Sequence, residues 1–274
     1  LGDVYKRQEL CMKNESPDIL DLLKDILSAL MVLSVIPIPW DKISETPPEF
    51  DRSFWAFPIV GFILGFISGI IFLISFYLNL PMIISVSLAV MVGIIITGGL
   101  HEEGFAGTVQ AFKTGKDRNK ILELLKNSNT NMYGTLSLII LVILKISALV
   151  SLGMASHWYV FSAIIVSSTI GRSMLVFLRS ISNQISKNLK DSDETQNDAS
   201  VLWSSLGISF LITIIFSPFW VAIVGYTLCI IQSYLIMAYT NRKIGGVTGG
   251  ILGANEQISE ILFLLVFCSL YASV

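Results

Sequence analysis

The stretch TGGLHEEGFAGTVQAFKTGKDRNKILELLKNSNTNMYG, Thr97 to Gly134, decides how the chain is read. It is the longest polar interruption between strongly apolar runs. Gly98-Gly99 closes a membrane-length segment; His101, Glu102 and Glu103 follow at once, then a basic helical pattern, then an amide-rich turn at Asn127, Asn129 and Asn131. A membrane protein that does chemistry on a polar substrate needs a place where ionisable groups leave the lipid together. Thr97–Gly134 is therefore expected to be the working face.

Composition supports a membrane reading. The 274 residues are 53% hydrophobic and 14% charged, with a mean hydropathy of +0.73. A soluble domain carries about 25% charged residues, so the excess apolar surface must face lipid. The net charge of −2 says little, because the placement of charge matters more than its sum in a membrane protein. Nothing in it calls for a nucleic-acid partner. Cys11, Cys229 and Cys268 show no paired spacing, so neither a disulfide framework nor a zinc site is indicated. The first eleven residues, LGDVYKRQELC, fit nothing downstream and precede Met12. Residues 1–11 are expected to be a non-native leader, and 12–274 a single membrane-embedded domain.

Working outward from the central stretch, the apolar runs pair off. Ile26 to Trp40 is short for a full span and ends at Pro37 and Pro39, which predicts a re-entrant or interfacial helix, or a short span. Phe54 to Leu78 spans, and Gly61, Gly65 and Gly69 fall on one helical face where a second helix can come close. Asn79-Leu80-Pro81 turns the chain, and Met82 to Ile96 returns it. Asp117 to Lys126 reads as an amphipathic helix. Thr135–Leu152 and Tyr159–Leu178 pair about His157; Val201–Phe216 and Trp220–Tyr239 pair about Pro218; Ile251–Tyr271 is the last apolar segment. The fold class is an all-α polytopic integral membrane protein, with about seven transmembrane helices plus the short N-terminal helix.

Because each pair returns the chain to the side it left, the loops at Asp41–Arg52, Thr97–Asn131, Arg179–Ser200 and Asn241–Gly250 share one face. That face carries Lys42, Lys113, Lys116, Arg118, Lys126, Lys187, Arg242 and Lys243 among others, whereas the turns around Asn79, His157 and Pro218 carry no Lys or Arg. By the positive-inside rule the loop-rich face is cytoplasmic.

Several residues invite chemistry. Glu102 and Glu103 are adjacent and cannot share a helical face. One can point into the site and the other to water. Mg²⁺ is served by one or two carboxylates when substrate phosphates and water complete its shell. Lys145 and Arg172 sit within apolar runs, and Glu256 and Glu260 lie one turn apart on the last helix. Glu–Arg or Glu–Lys pairing inside the bundle is one reading. Substrate phosphate on Arg172, with a metal or proton role for the glutamates, is the other. Gly245-Gly246 and Gly249-Gly250 around Thr248, next to Arg242 and Lys243, could cradle phosphate through backbone N–H groups.

These stretches together resemble the adenosylcobinamide-GDP ribazoletransferase, or cobalamin synthase, family of integral membrane enzymes. The resemblance runs from about Ile26 to the C-terminus and rests on TGGLHEEGFAGT (97–108), DRNKILELLKNSNTNMYGTLSL (117–138), GRSMLVFL (171–178) and KIGGVTGGILGANEQISE (243–260). It implies transfer of α-ribazole, or its 5′-phosphate, to adenosylcobinamide-GDP with release of GMP, dependence on Mg²⁺, and a multi-pass place in a bacterial inner membrane. Other membrane-associated corrinoid enzymes are candidate partners.

Residue reading and resemblance together give His101, Glu103, Ser128 and Arg172 as catalytic candidates. Lys126, Arg242, Lys243, Gly246, Thr248 and Gly249 are the substrate-binding candidates, and Glu103, Glu102 and Asn127 the metal candidates. The chain departs from the family pattern where Gly107, Gln110, Asn127 and Gly250 stand at usually acidic positions. The alternatives are a diverged enzyme with a reorganised metal site, a catalytically silent homologue that binds corrinoid or partner proteins, and a small transporter.

Overall fold

The computed structural model describes residues 19–126, 131–185 and 199–272. The leader expected at 1–11, the candidates Asn127 and Ser128, and the DSDETQND run lie outside them. The described residues form ten α-helices: α1 (Ile19–Leu33), α2 (Phe57–Tyr77), α3 (Met82–Thr97), α4 (Leu100–Thr114), α5 (Arg118–Lys126), α6 (Met132–Ala155), α7 (His157–Ile181), α8 (Ala199–Phe216), α9 (Phe219–Ile244) and α10 (Gly249–Tyr271). Six of the described helices are long and apolar enough to cross a membrane, or up to seven if the bent pair α3 and α4 makes one span.

The caps follow from the sequence. Asn131 opens α6 by accepting hydrogen bonds from Tyr133 N and Gly134 N, at 2.9 and 3.3 Å. Ser156 opens α7 by accepting from Trp158 N at 3.2 Å. Pro81 and Pro218 precede α3 and α9, where a missing N–H leaves no helical bond unmade.

The expected glycine face is the main seam of the bundle. A Cβ on Gly61 would sit 2.6 Å from Ser168 O, and one on Gly65 would sit 2.9 Å from Ile165 Cα. The matching numbers run in opposite directions, so α2 and α7 pack antiparallel with backbones in close approach. Without a hydrophobic driving force between helices in lipid, such packing is what holds them together. α7 is thereby enclosed, with 89% of its apolar window buried, whereas α8 at 17% is turned outward.

The ends of the helices sort as the hairpin scheme requires. The turns at Asn79 and His157 meet: the Phe76 and His157 rings stack at 5.0 Å, and Tyr77 Oη lies 3.4 Å from His157 Nε2. At the other end the loops converge. Arg179 pairs with Asp51 at 2.8 Å, Arg118 Nε donates to Ile244 O at 2.8 Å, and the amides of Ile185 and Val247 donate to Val247 O and Asn183 O.

Two segments differ from the sequence reading. The N-terminal helix is Ile19–Leu33, beginning seven residues before the expected start at Ile26 and ending before the prolines. Its buried Asp25 accepts from Arg52 Nε at 2.9 Å and Trp55 Nε1 at 3.0 Å, which ties the helix to the bundle. Beyond it the chain is extended, and Val35 N donates to Ile96 O at 2.8 Å. The second difference is α4, read as loop. Gly98 and Gly99 both adopt left-handed conformations, at φ 65° and 68°, which only glycine tolerates well. They end α3 and turn the chain by 88° into a second helix. The charged start of the working stretch is therefore held on a rigid element.

Candidate active site at the loop end of the bundle

α4 lies across α10 at close range. A Cβ on Gly104 would sit 2.8 Å from Gly250 O, and one on Gly253 would sit 3.3 Å from His101 Cα. Between these helices, α1 and α7 opens a cavity of about 710 Å³. Its polar wall includes His101, Glu102, Glu103, Thr108 and Arg179, with Gly107, Gly249 and Gly250 beside them. Val32, Leu33, Phe54, Phe57, Leu125 and Leu138 contribute the apolar side. A volume of this size lies within the about 300–1,000 Å³ usual for small-ligand sites.

Both adjacent glutamates line the cavity, Glu102 the more buried of the two. Glu103 is exposed on the cavity wall. Glu102 turns inward, where its Oε1 accepts from Gln257 Nε2 at 3.1 Å. Its Oε2 is buried without a hydrogen-bond partner among the described residues, as are His101 Nε2 and Thr108 Oγ1. Polar atoms with open hydrogen-bonding capacity in a cavity wall can meet a ligand or water.

Behind Glu102 lies a charge cluster within the bundle. Arg172 on α7 pairs with Glu256 at 2.6 Å and also with Glu260, both on α10. Lys145 on α6 donates to Glu260 Oε2 and Gln257 Oε1, each at 2.6 Å. None of Lys145, Arg172, Glu256, Gln257 and Glu260 is more than 8% exposed. A second cavity, of about 80 Å³, touches Glu102, Lys145, Arg172, Gln257 and Glu260. Buried charges persist only when paired, and these are. The pairing reading of the intramembrane charges is the one the structure has, and Arg172 is not part of the large cavity's wall.

The structure thus brings His101, Glu102, Glu103 and Gly249 together in one cavity. Lys126, Arg242 and Lys243 are exposed and outside its wall. Gly246 is buried against the backbone of Asn183, where a side chain has no room. Thr248 precedes α10 with its Oγ1 unpartnered. Arg179, Thr108 and the α1 residues were not singled out from sequence. A signal existed for Arg179: it stands two turns beyond Arg172, on the same helical face. Its guanidinium lies 4.3 Å from the centre of the Phe54 ring, which keeps it at the cavity edge. Nothing in the sequence pattern places the N-terminal helix at the cavity.

The family described as Cobalamin-5-phosphate synthase matches residues 25–268. The chain belongs to that family. Relatives named adenosylcobinamide-GDP ribazoletransferase include one from Clostridium botulinum (strain 657 / Type Ba4), 33% identical over 89% of this chain and 97% of the relative. Another, from Clostridium tetani (strain Massachusetts / E88), is 33% identical over 90% of this chain and 96% of the relative. A third, from Azorhizobium caulinodans, is 28% identical over 89% and 95%. No solved structure matches the chain.

Three of the four positions that the resemblance leads one to expect as acidic lie among the described residues. Gly107 and Gly250 line the cavity; a Cβ on Gly107 would meet nothing within 4 Å, and one on Gly250 would make only ordinary contacts, the nearest at 3.7 Å. Gln110 is buried and its Oε1 accepts from Asn131 N at 2.7 Å, tying α4 to the start of α6. Among the described residues no group of three or more His, Cys, Asp or Glu is arranged to hold a metal. The cavity offers instead the carboxylates of Glu102 and Glu103, the former with a free oxygen. That donor set is enough for Mg²⁺ when phosphate oxygens and water supply the remainder.

Proposed function

We propose that the chain transfers α-ribazole, or its 5′-phosphate, to adenosylcobinamide-GDP with release of GMP, on the cytoplasmic face of a bacterial inner membrane. The observation that carries this reading is the single cavity where His101, Glu102, Glu103 and Arg179 meet at the loop end of the bundle. The names of the relatives supply the substrates. The cytoplasmic assignment is supported by the Lys and Arg count of the converging loops.

In the reaction a hydroxyl oxygen of the ribazole forms a bond to the cobinamide-linked phosphorus. The bond between that phosphorus and the oxygen of the GMP leaving group breaks. Glu102 and Glu103 would hold Mg²⁺, which when bound offsets charge on the diphosphate. Arg179 supplies a guanidinium suited to phosphate oxygens. His101 Nε2 receives the hydroxyl proton; support comes from its unpartnered state in the cavity wall. The apolar side of the cavity suits the aromatic base of the ribazole, with Phe54 and Phe57 as contact surfaces. Arg172 serves this site indirectly, by holding Glu256 and Glu260.

The reading is tested with the purified protein, adenosylcobinamide-GDP, α-ribazole and Mg²⁺. GMP should appear in proportion to ligated product. A folded protein that releases none at any Mg²⁺ concentration refutes it.

A further inference from the structure

Gln257 is the neutral member of the buried cluster, and its amide is used on both sides. Nε2 donates to Glu102 Oε1 at 3.1 Å and to Glu256 Oε2 at 2.8 Å, while Oε1 accepts from Lys145 Nζ at 2.6 Å. Lys145 is fixed in turn by Glu260, at 2.6 Å. These neighbours leave the amide one orientation. A flip would set its carbonyl against two carboxylates and its NH₂ against an ammonium group. A glutamate here would keep an acceptor for Lys145 but would set a second carboxylate beside Glu102 and Glu256 in place of a donor. Glu102 is the one carboxylate of this group that also lines the large cavity. The close approach of α4 to α10 at Gly104 and Gly250 is what brings it within reach of Gln257.

We infer that Gln257 is a positioning residue, which holds the Glu102 carboxylate at the inner end of the cavity and anchors it to the Lys145–Glu260 pair. The inference rests on the proposed role of Glu102 in transfer. The ion cluster then has a function beyond stability: it fixes where the amide stands, and the amide fixes where Glu102 points.

The test is a cycle of Gln257→Leu, Glu102→Ala and the double variant, in the full-length protein in detergent. It is read by melting temperature and by kinetics of GMP release. Gln257→Leu should lower kcat by about tenfold or more, because misplacing a reacting group is costly. Its KM for α-ribazole should stay within about twofold of wild type, since binding contacts are untouched. Its shift in melting temperature should shrink in the Glu102→Ala background, as expected for residues in contact. Equal melting shifts in both backgrounds, or an unchanged kcat in folded Gln257→Leu, overturn the inference. Gln257→Glu keeps the acceptor for Lys145 but loses the donor toward Glu102. It should lose kcat likewise if Gln257→Leu fails to fold, and a normal kcat in it overturns the inference as well. A folded wild-type protein that releases no GMP refutes the transferase reading alone, because the melting cycle still decides whether Gln257 holds Glu102.

Discussion

The ion cluster between α6, α7 and α10 and the cavity beside it, under α4, are both charged, and they are built in opposite ways. In the cluster every charged group meets an opposite charge: Lys145 with Glu260, Arg172 with Glu256 and Glu260. In the cavity wall, His101 Nε2, Glu102 Oε2 and Thr108 Oγ1 have no hydrogen-bond partner among the described residues. Charge inside a bundle is therefore no guide to chemistry by itself. Charge paired with charge holds helices in register, even though Arg172 Nε and Glu256 Oε1 lack a hydrogen bond among the described residues, and unpartnered polar atoms in a roomy wall are the ones a ligand can reach. Arg172, an intramembrane charge of the sequence, is ion-paired with Glu256 and Glu260 and lies outside the wall of the large cavity. Glu102, next to the more exposed Glu103, lies in that wall.

The comparison can be broken most forcefully at Arg172. Arg172→Leu leaves Glu256 without its cation and Glu260 with only Lys145, a change that costs about 3–5 kcal/mol where a buried pair is broken. Folded yield and thermal stability in detergent should collapse. A variant with wild-type stability would show that the cluster is solvated and its pairing dispensable.

A smaller loss is expected at the seam that carries no charge. Gly65→Leu pushes a side chain into the backbone of α7 at Ile165, and overpacking of this kind costs about 1–3 kcal/mol. The melting temperature should fall without loss of membrane insertion. An unchanged melting temperature would mean that α2 and α7 do not pack through this face.

The cavity should respond least in stability and most in metal dependence. Gly107→Asp with Gly250→Asp places carboxylates where a Cβ meets open space or ordinary contacts, so stability should stay within about 0.5 kcal/mol. The Mg²⁺ concentration for half-maximal GMP release should fall, because oxygen-ligand sites are tuned by ligand charge. An unchanged Mg²⁺ requirement in this folded variant would move the metal out of this cavity. Gln110 is left out of that variant because its Oε1 bonds Asn131 N, and a shorter side chain would release it.

Much of the frame was legible in the sequence. Glycines spaced four apart announced the α2–α7 seam, since a helix puts such residues on one face. Prolines and short polar turns fixed the hairpins, and the basic loops meet at one end as the side count required. What was hidden has physical causes. α4 contains Gly104 and Gly107, which disfavour a helix interior, and its charged start sits in a polar stretch between apolar runs; packing against α10 makes it a helix. The partners of Lys145 lie more than a hundred residues away, at Gln257 and Glu260, and no periodicity announces such a pairing. Gln257 carries no charge and so drew no attention. The residues that wall the cavity from α1 lie on a helix whose place is set by Asp25 and Arg52, a contact between distant segments.

The proposed role of the cavity carboxylates is to hold the metal used in transfer. Its most direct test is the initial rate of GMP release against Mg²⁺ concentration, for the wild-type protein and for Glu103→Gln. The wild-type protein should need raised Mg²⁺, having few acidic ligands in the cavity, and Glu103→Gln should lose GMP release at every concentration while keeping its melting temperature. Release at ordinary Mg²⁺ with a rate unchanged by Glu103→Gln would contradict the account.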